Sequence, residues 1–209
     1  VTTDTSTPPG LRESKKQETR QAISDHATRL FVEQGFEATT ISEIAAAARV
    51  AKKTVTNYFA RKEDLALDHQ DAFAASLARV VSGRAPGESA PAALRRAFAA
   101  AVEARDPVAG FAPEPFARMI ADSPTLTAAL RVLHDRREAE LARALADATG
   151  AAPDDITVLT TATLLGGVHR VLFQRIQDHI LAGRSADETA RLVAADAARA
   201  FDLVEPALA

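Results

Sequence analysis

The sequence predicts an all-α fold of about nine helices, with a small N-terminal unit of three helices followed by a larger helical bundle. Three observations carry this expectation. Apolar residues recur at spacings of three and four, as in Ile23, Ala27, Leu30 and Phe31. Alanine, the strongest helix former, is abundant, and no alternating β-branched run is long enough to argue for a strand. Ser, Thr or Asp stands ahead of most apolar runs and Gly or Pro behind them, which marks where helices begin and stop.

Residues 1–11 carry no apolar period and read as a disordered tail. A first helix starts near Ser14, with Gln17 as its capping-box partner, and stops at Gly35. A second starts at Thr40, capped reciprocally with Glu43, and turns Ile41, Ile44, Ala45 and Ala48 inward. A short turn at Arg49, Val50 and Ala51 leads to a third helix, about Lys52 to Phe59, and a fourth runs from Arg61 through Leu77 to Val81. The clearest break is Gly83–Gly87, so a first unit is expected over 12–82 and a second over 83–209. Further helices follow over Ser89–Arg105 and Phe116–Ala121, the latter within a Pro-rich irregular stretch. A long helix opens at Ser123-Pro124 and carries Leu126, Leu130, Leu133, Leu141 and Leu145. Gly150 and Pro153 separate it from another, Asp154–Leu181, and Ser185 starts the last, ending before Pro206.

Composition narrows the function. The 209 residues include no cysteine, so disulfides, thiol nucleophiles and zinc-thiolate sites are excluded. The longest charge-free stretch, Ile156–His169, is too short and too rich in threonine to cross a membrane, and no secretory leader is legible. A cytoplasmic protein with no membrane partner is the expectation. No Glu is followed three residues later by His, and neither a phosphate loop nor a nucleophile elbow occurs. No catalytic residues, metal site or cofactor are therefore expected. The net charge of -3 is unevenly spread. Through Asp64 there are 10 Lys+Arg and 9 Asp+Glu, or +1, and the remainder holds 15 and 19, or -4. All five lysines (Lys15, Lys16, Lys52, Lys53, Lys62) fall in the first part. A local basic footprint, not the sum, governs contact with phosphates.

The informative block is Ala38 to Leu65. Physically it is two short helices round a tight turn, with Ile44, Ala45, Val50, Val55 and Phe59 packed between them. The outward face of the third helix is then Lys52, Lys53, Thr56 and Asn57. Two ammonium donors, a hydroxyl and an amide able to read an adenine edge suit a recognition helix in the major groove. The alternative is an ordinary solvated basic face.

The block resembles the TetR family of bacterial repressors. The residues that carry the likeness are Gly35-Phe36, Thr40, Ile44-Ala45, Val50, Lys52, Thr54-Val55, Tyr58-Phe59 and Lys62-Glu63-Asp64-Leu65. It covers roughly 17–77 well, with the helix-turn-helix at about 40–59, and the rest only in helical layout. The resemblance implies a dimeric DNA-binding regulator with a DNA surface of Thr40, Arg49, Lys52, Lys53, Thr54, Thr56, Asn57, Tyr58 and Lys62. In it Thr40 caps its helix and bonds phosphate, and Tyr58 and Lys62 touch phosphate. Read without the family, Thr40 is a cap alone, and Tyr58 is as readily structural. Two departures stand out. Arg49 occupies the turn position that is usually glycine, at a cost of about 1 kcal/mol if its backbone is left-handed. Ala51 replaces the usual serine cap and leaves an N–H without its side-chain acceptor.

For the C-terminal part the resemblance implies a helical domain that dimerises and often encloses a ligand cavity. The expected dimer face is Leu165, Gly166, Gly167, Val168, Leu172 and Ile176 with Leu192 and Phe201. Mid-helix Gly166-Gly167 costs about 1 kcal/mol per glycine, which close approach of another helix explains. Packing within the chain is the alternative. Candidate pocket residues are Phe98, Val102, Phe111, Phe116, Met119, Ile120 and Phe173, with His134 and His169 either orienting a polar group or satisfied in the core. A small-molecule effector, hydrophobic in character, is the expected partner beside a double-stranded operator. The competing readings are a ligand-independent or activating regulator and a helical adaptor that binds only protein.

Overall fold

The computed structural model of the chain describes residues 11–208. Among them are eleven α-helices and two short 3-10 turns, and no strand. The chain divides into two compact units, one ending at Asp68 and one beginning at His69.

The first unit comprises α1 (Leu11–Gln34), α2 (Ile41–Ala47), α3 (Lys52–Tyr58) and α4 (Glu63–Ala66). Helix α1 is already running at Leu11, so Ser14 is not its cap; its hydroxyl bonds Glu18 Oε1 at 3.1 Å one turn on. The rest of the expected tail, 1–10, lies outside the described residues. Gly35 ends α1 with φ 88, and its N–H donates to Phe31 O at 3.0 Å. Ile23, Ala27 and Phe31 of α1 meet Ile44, Val55 and Leu65 in a core sealed from solvent.

The second unit comprises α5 (Gln70–Ala74), α6 (Ser76–Ser82), α7 (Ala90–Glu103), α8 (Glu114–Asp122), α9 (Pro124–Thr149), α10 (Ile156–Leu181) and α11 (Ala186–Val204). The 3-10 turns are Pro107–Ala109 and Glu205–Ala207. Helix α9 packs against α6 and α10, and α11 against α10 and α7. The expected caps are in place, with Ser89, Ser123 and Ser185 each accepting an N–H three residues on.

Two expectations change here. The single fourth helix from Arg61 to Val81 is three short ones, and the count of about nine rises accordingly. Leu67 leaves helical geometry at φ -114, ψ 47. Carbonyls freed by the breaks are taken by side chains. Arg20 donates to Asp68 O at 3.4 Å, Ser76 to Phe73 O at 2.7 Å and Arg79 to Ala72 O at 2.9 Å. Because of the first break, residues 69–82 cluster with the second unit, and the boundary falls at 68/69 instead of 82/83. The second change concerns α10, which runs 26 residues with a mean hydropathy of 1.4 over its best window, long and apolar enough to cross a bilayer. Its helix continues past His169 through Arg170, Arg175 and Asp178, and its buried side chains pack on α9 and α11. It is built as a core helix.

Candidate nucleic-acid interface and polar interior

In the first unit, α2 is held at its start by a complete capping box. Thr40 N and Thr40 Oγ1 both donate to Glu43 Oε2 at 2.7 Å, and Glu43 N donates back to Thr40 Oγ1 at 3.2 Å. These bonds, with the nearby Lys62 charge, hold the Glu43 carboxyl below the usual carboxylate range. Both polar hydrogens of Thr40 are thus engaged, and in this structure it is a cap. At the turn, Arg49 adopts φ 55, the left-handed backbone expected from its glycine-like position. Val50 N donates to Ala45 O at 2.9 Å, closing the turn. Ala51 sits in cap geometry at φ -69, ψ 146 and offers no side-chain acceptor.

Beyond it, α3 turns Val55 into the core and leaves Lys52, Lys53, Thr56 and Asn57 exposed. These four positions fall within one arc of a helix surface. No described carboxylate pairs with either lysine, and Thr56 Oγ1 bonds back to Lys53 O at 3.1 Å. Arg49 is exposed at the same turn, while Thr54 and Tyr58 are half-buried. Lys62 is half-buried too. Its ammonium donates to Glu37 O at 3.3 Å and stands 4.3 Å over the Phe36 ring, so part of its charge is spent inside the unit.

Sequence reasoning missed Arg20. It reaches from α1 to the end of α3, donating to Tyr58 O at 3.0 Å with its guanidinium 4.3 Å over the Phe59 ring. It therefore braces the end of α3. The signal was its place three residues before Ile23, on the inward period of α1.

In the second unit the expected dimer face proves to be mostly core. Leu165, Val168, Leu172, Ile176 and Phe201 belong to the buried cluster of this chain, so they are withdrawn from the interface. Gly166 is buried as well, and a Cβ there meets the Glu138 side chain at 3.2 Å. Its close approach is to α9. Gly167 has nothing within 4 Å of such a Cβ, and Leu192 is exposed. The outward apolar stripe of α10 is instead Ile156, Leu164, Gly167 and Val171, with Ile156 74% and Val171 58% exposed.

The expected pocket residues divide similarly. Phe98, Val102, Met119 and Ile120 are buried, and Phe116 and Phe173 half-buried. A recess of about 480 Å³ does open beside the Pro-rich stretch, lined by Arg105, Pro107, Phe111, Pro113, Ile180 and Arg184 among others. Of the expected lining, it includes Phe111 alone.

The two histidines are interior. His134 stands edge-on to Phe73 and Phe173, each ring centre 5.1 Å away. His169 stands edge-on to Phe98 and Phe201, and its Nε2 is sealed without a partner. Burial, helped by the Arg137 charge, pushes the His134 pKa down to about 4 and that of His169 well below its ordinary value. Both are neutral at pH 7. Arg137, which sequence reasoning also missed, is itself buried, and burial lowers its pKa to about 10, so it remains a cation. It lies on the inward period of α9, four residues before Leu141. Among the described residues no His, Asp or Glu group is arranged to hold a metal.

The family profile of bacterial regulatory proteins, tetR family, matches residues 23–68. The HTH-type transcriptional regulator TcmR of Streptomyces glaucescens is 33% identical over 152 residues, 70% of this chain and 67% of that protein. A TetR-family regulator from Streptomyces coelicolor superposes with a TM-score of 0.52 at 24% identity, over 93% of this chain and 98% of that one. NalD of Pseudomonas aeruginosa, the secondary repressor of the MexAB-OprM multidrug efflux pump, does so with a TM-score of 0.54 at 17% identity, over 90% and 97%. These two superpositions establish the shared fold.

Proposed function

The chain belongs to the TetR family of bacterial regulatory proteins and is a DNA-binding transcriptional regulator, and on that footing we propose that it is a repressor released from a palindromic operator by a small molecule. The observation that carries the DNA surface is α3, whose Lys52, Lys53, Thr56 and Asn57 stand exposed on one face while Val55 anchors the other. In the major groove the lysines supply phosphate or base donors and Asn57 reads an adenine edge. Arg49, Thr54 and Tyr58 flank this face, and Lys62 keeps N–H groups to spare for a phosphate. The apolar stripe of Ile156, Leu164, Gly167 and Val171, with Leu192, supports a homodimer. A two-fold dimer presents two α3 helices to two half-sites about one helical turn apart. Its place of action is the cytoplasm, where bacterial DNA lies.

The test is selection of bound duplexes from a random pool at fixed salt. An enriched palindrome is expected, with Asn57→Ala relaxing the preference at one base pair of each half-site. No enrichment would overturn operator binding. Release is tested separately: an effector that saturates the protein yet leaves operator affinity unchanged rules out derepression, since a switch requires different affinities for its two states.

A further inference from the structure

Helix α3 is seven residues long, about two turns, and a helix of that length is not stable by itself in water. Its direction is set by what grips it. At its start Ala51 offers no side-chain acceptor, so that end is held by no cap. In its middle Val55 is sealed in the core. At its far end Phe59 leaves helical geometry at φ -132, ψ 113, and no backbone N–H among the described residues takes the carbonyl of Tyr58.

Arg20 meets that carbonyl. One terminal nitrogen of its guanidinium, Nη1, donates to Tyr58 O at 3.0 Å. The other, Nη2, donates to the carbonyl of Asp68, the last residue of the first unit, at 3.4 Å. The guanidinium carbon lies 4.3 Å from the centre of the Phe59 ring. One turn further along α1, Ser24 Oγ donates to Leu65 O at 3.2 Å. Two side chains on one face of α1 thus hold the chain before, within and after α4. A planar fork suits this task, since it bonds two acceptors and stacks on a ring at once, whereas a lysine ammonium lacks the plane.

Reading bases makes the direction of α3 matter. Lys52, Lys53, Thr56 and Asn57 are all exposed on it. An amide meets an adenine edge through two hydrogen bonds, whose lengths and angles leave little latitude. Contacts to phosphate tolerate more, because charge attraction falls off gently with distance and carries no sequence information.

Resting on α3 as the helix that reads the operator, we propose that Arg20 is a positioning residue for that reading. It touches no DNA and sets the pose in which α3 presents Asn57 and its neighbours.

The test compares wild type, Arg20→Met and Arg20→Lys as full-length proteins. Each is titrated with the palindrome selected by wild type and with a scrambled duplex of equal length, over a series of salt concentrations. Arg20→Met is expected to lower the ratio of the two affinities at least about tenfold, with the salt slope unchanged. Arg20→Lys, which keeps the charge without the plane, is expected to restore part of the ratio. A slope lower by about one unit, with both duplexes weakened alike, would make Arg20 a phosphate contact and overturn the proposal. An unchanged ratio, or full recovery by lysine, overturns it too. Hydrogen exchange of the free proteins separates a seat for α3 from general stability. Arg20→Met is expected to speed exchange over residues 52–59 and to leave residues 23–31 of α1 near wild type. Unchanged exchange over 52–59, or faster exchange throughout the first unit, overturns the proposal whatever the duplexes show. If the methionine variant does not fold, Arg20→Gln carries the same comparisons. If wild type selects no palindrome, operator reading by α3 fails, and exchange over 52–59 still decides whether Arg20 seats that helix.

Discussion

In the unit ending at Asp68 the basic side chains of α3 stand in solvent without protein partners, whereas in the unit beginning at His69 an arginine and two histidines are folded into the interior. The first arrangement costs the fold little, because exposed lysines keep their hydration. The second costs more, since each interior polar group gives up water for few protein bonds. The small unit thus exposes polarity for a ligand that is itself a polyanion. The larger one encloses polarity among its own helices.

The contrast can be broken at several points. Neighbouring positions on α10 offer the largest effect. Leu172→Ala, in the core, is expected to lower unfolding free energy in urea by about 2–5 kcal/mol, whereas Val171→Glu, next to it on the exposed stripe, is expected to keep the fold and lose only the dependence of its melt on protein concentration. Light scattering on Val171→Glu is expected to show monomers with weakened operator binding. A dimeric Val171→Glu would move the interface elsewhere.

The interior histidines predict an acid sensitivity in the second unit. The folded pKa of His134 is depressed from 6.5 to about 4. The unfolded state therefore binds more protons in that window. The stability from the neutral ring is complete above pH 6.5 and is lost as pH falls to about 4, up to about 3 kcal/mol. Urea melts across pH 7.5 to 4 measure the slope, and His134→Phe is expected to flatten it between pH 7 and 5. An unchanged slope would place the sensitivity elsewhere.

Smaller effects sharpen the first unit. Arg49 holds φ 55, so Arg49→Gly is expected to raise stability by about 1 kcal/mol by removing the Cβ clash. If Arg49 contacts phosphate, the same change lowers the salt slope of operator binding by about one unit. A stability gain with an unchanged slope would make Arg49 a turn residue only. Ala51 has the backbone of a cap, close to the φ -71, ψ 153 of Ser89. Ala51→Ser is therefore expected to add about 0.5–1 kcal/mol, read from the thermal midpoint.

What the sequence determined by itself is local. The Thr40–Glu43 capping box, the left-handed turn at Arg49, the uncapped start at Ala51 and the exposed face of α3 follow from residues within a few positions of one another. Their spacing fixes their geometry wherever the helices go. Tertiary structure decided the rest. A helix apolar on several sides, as α10 is, announces more than one buried face without saying which meets its own chain. Only packing assigned Leu165, Leu172 and Ile176 inward and Val171 outward. The breaks at Leu67 and Ala75 likewise depend on distant or folded-back donors that take the freed carbonyls, and Arg20 is 48 residues from the one it serves. Arg137 lies on an apolar period as a charge, and its surroundings come from helices distant in the chain, which place Phe73 beneath it and the Ser76 hydroxyl on its Nε.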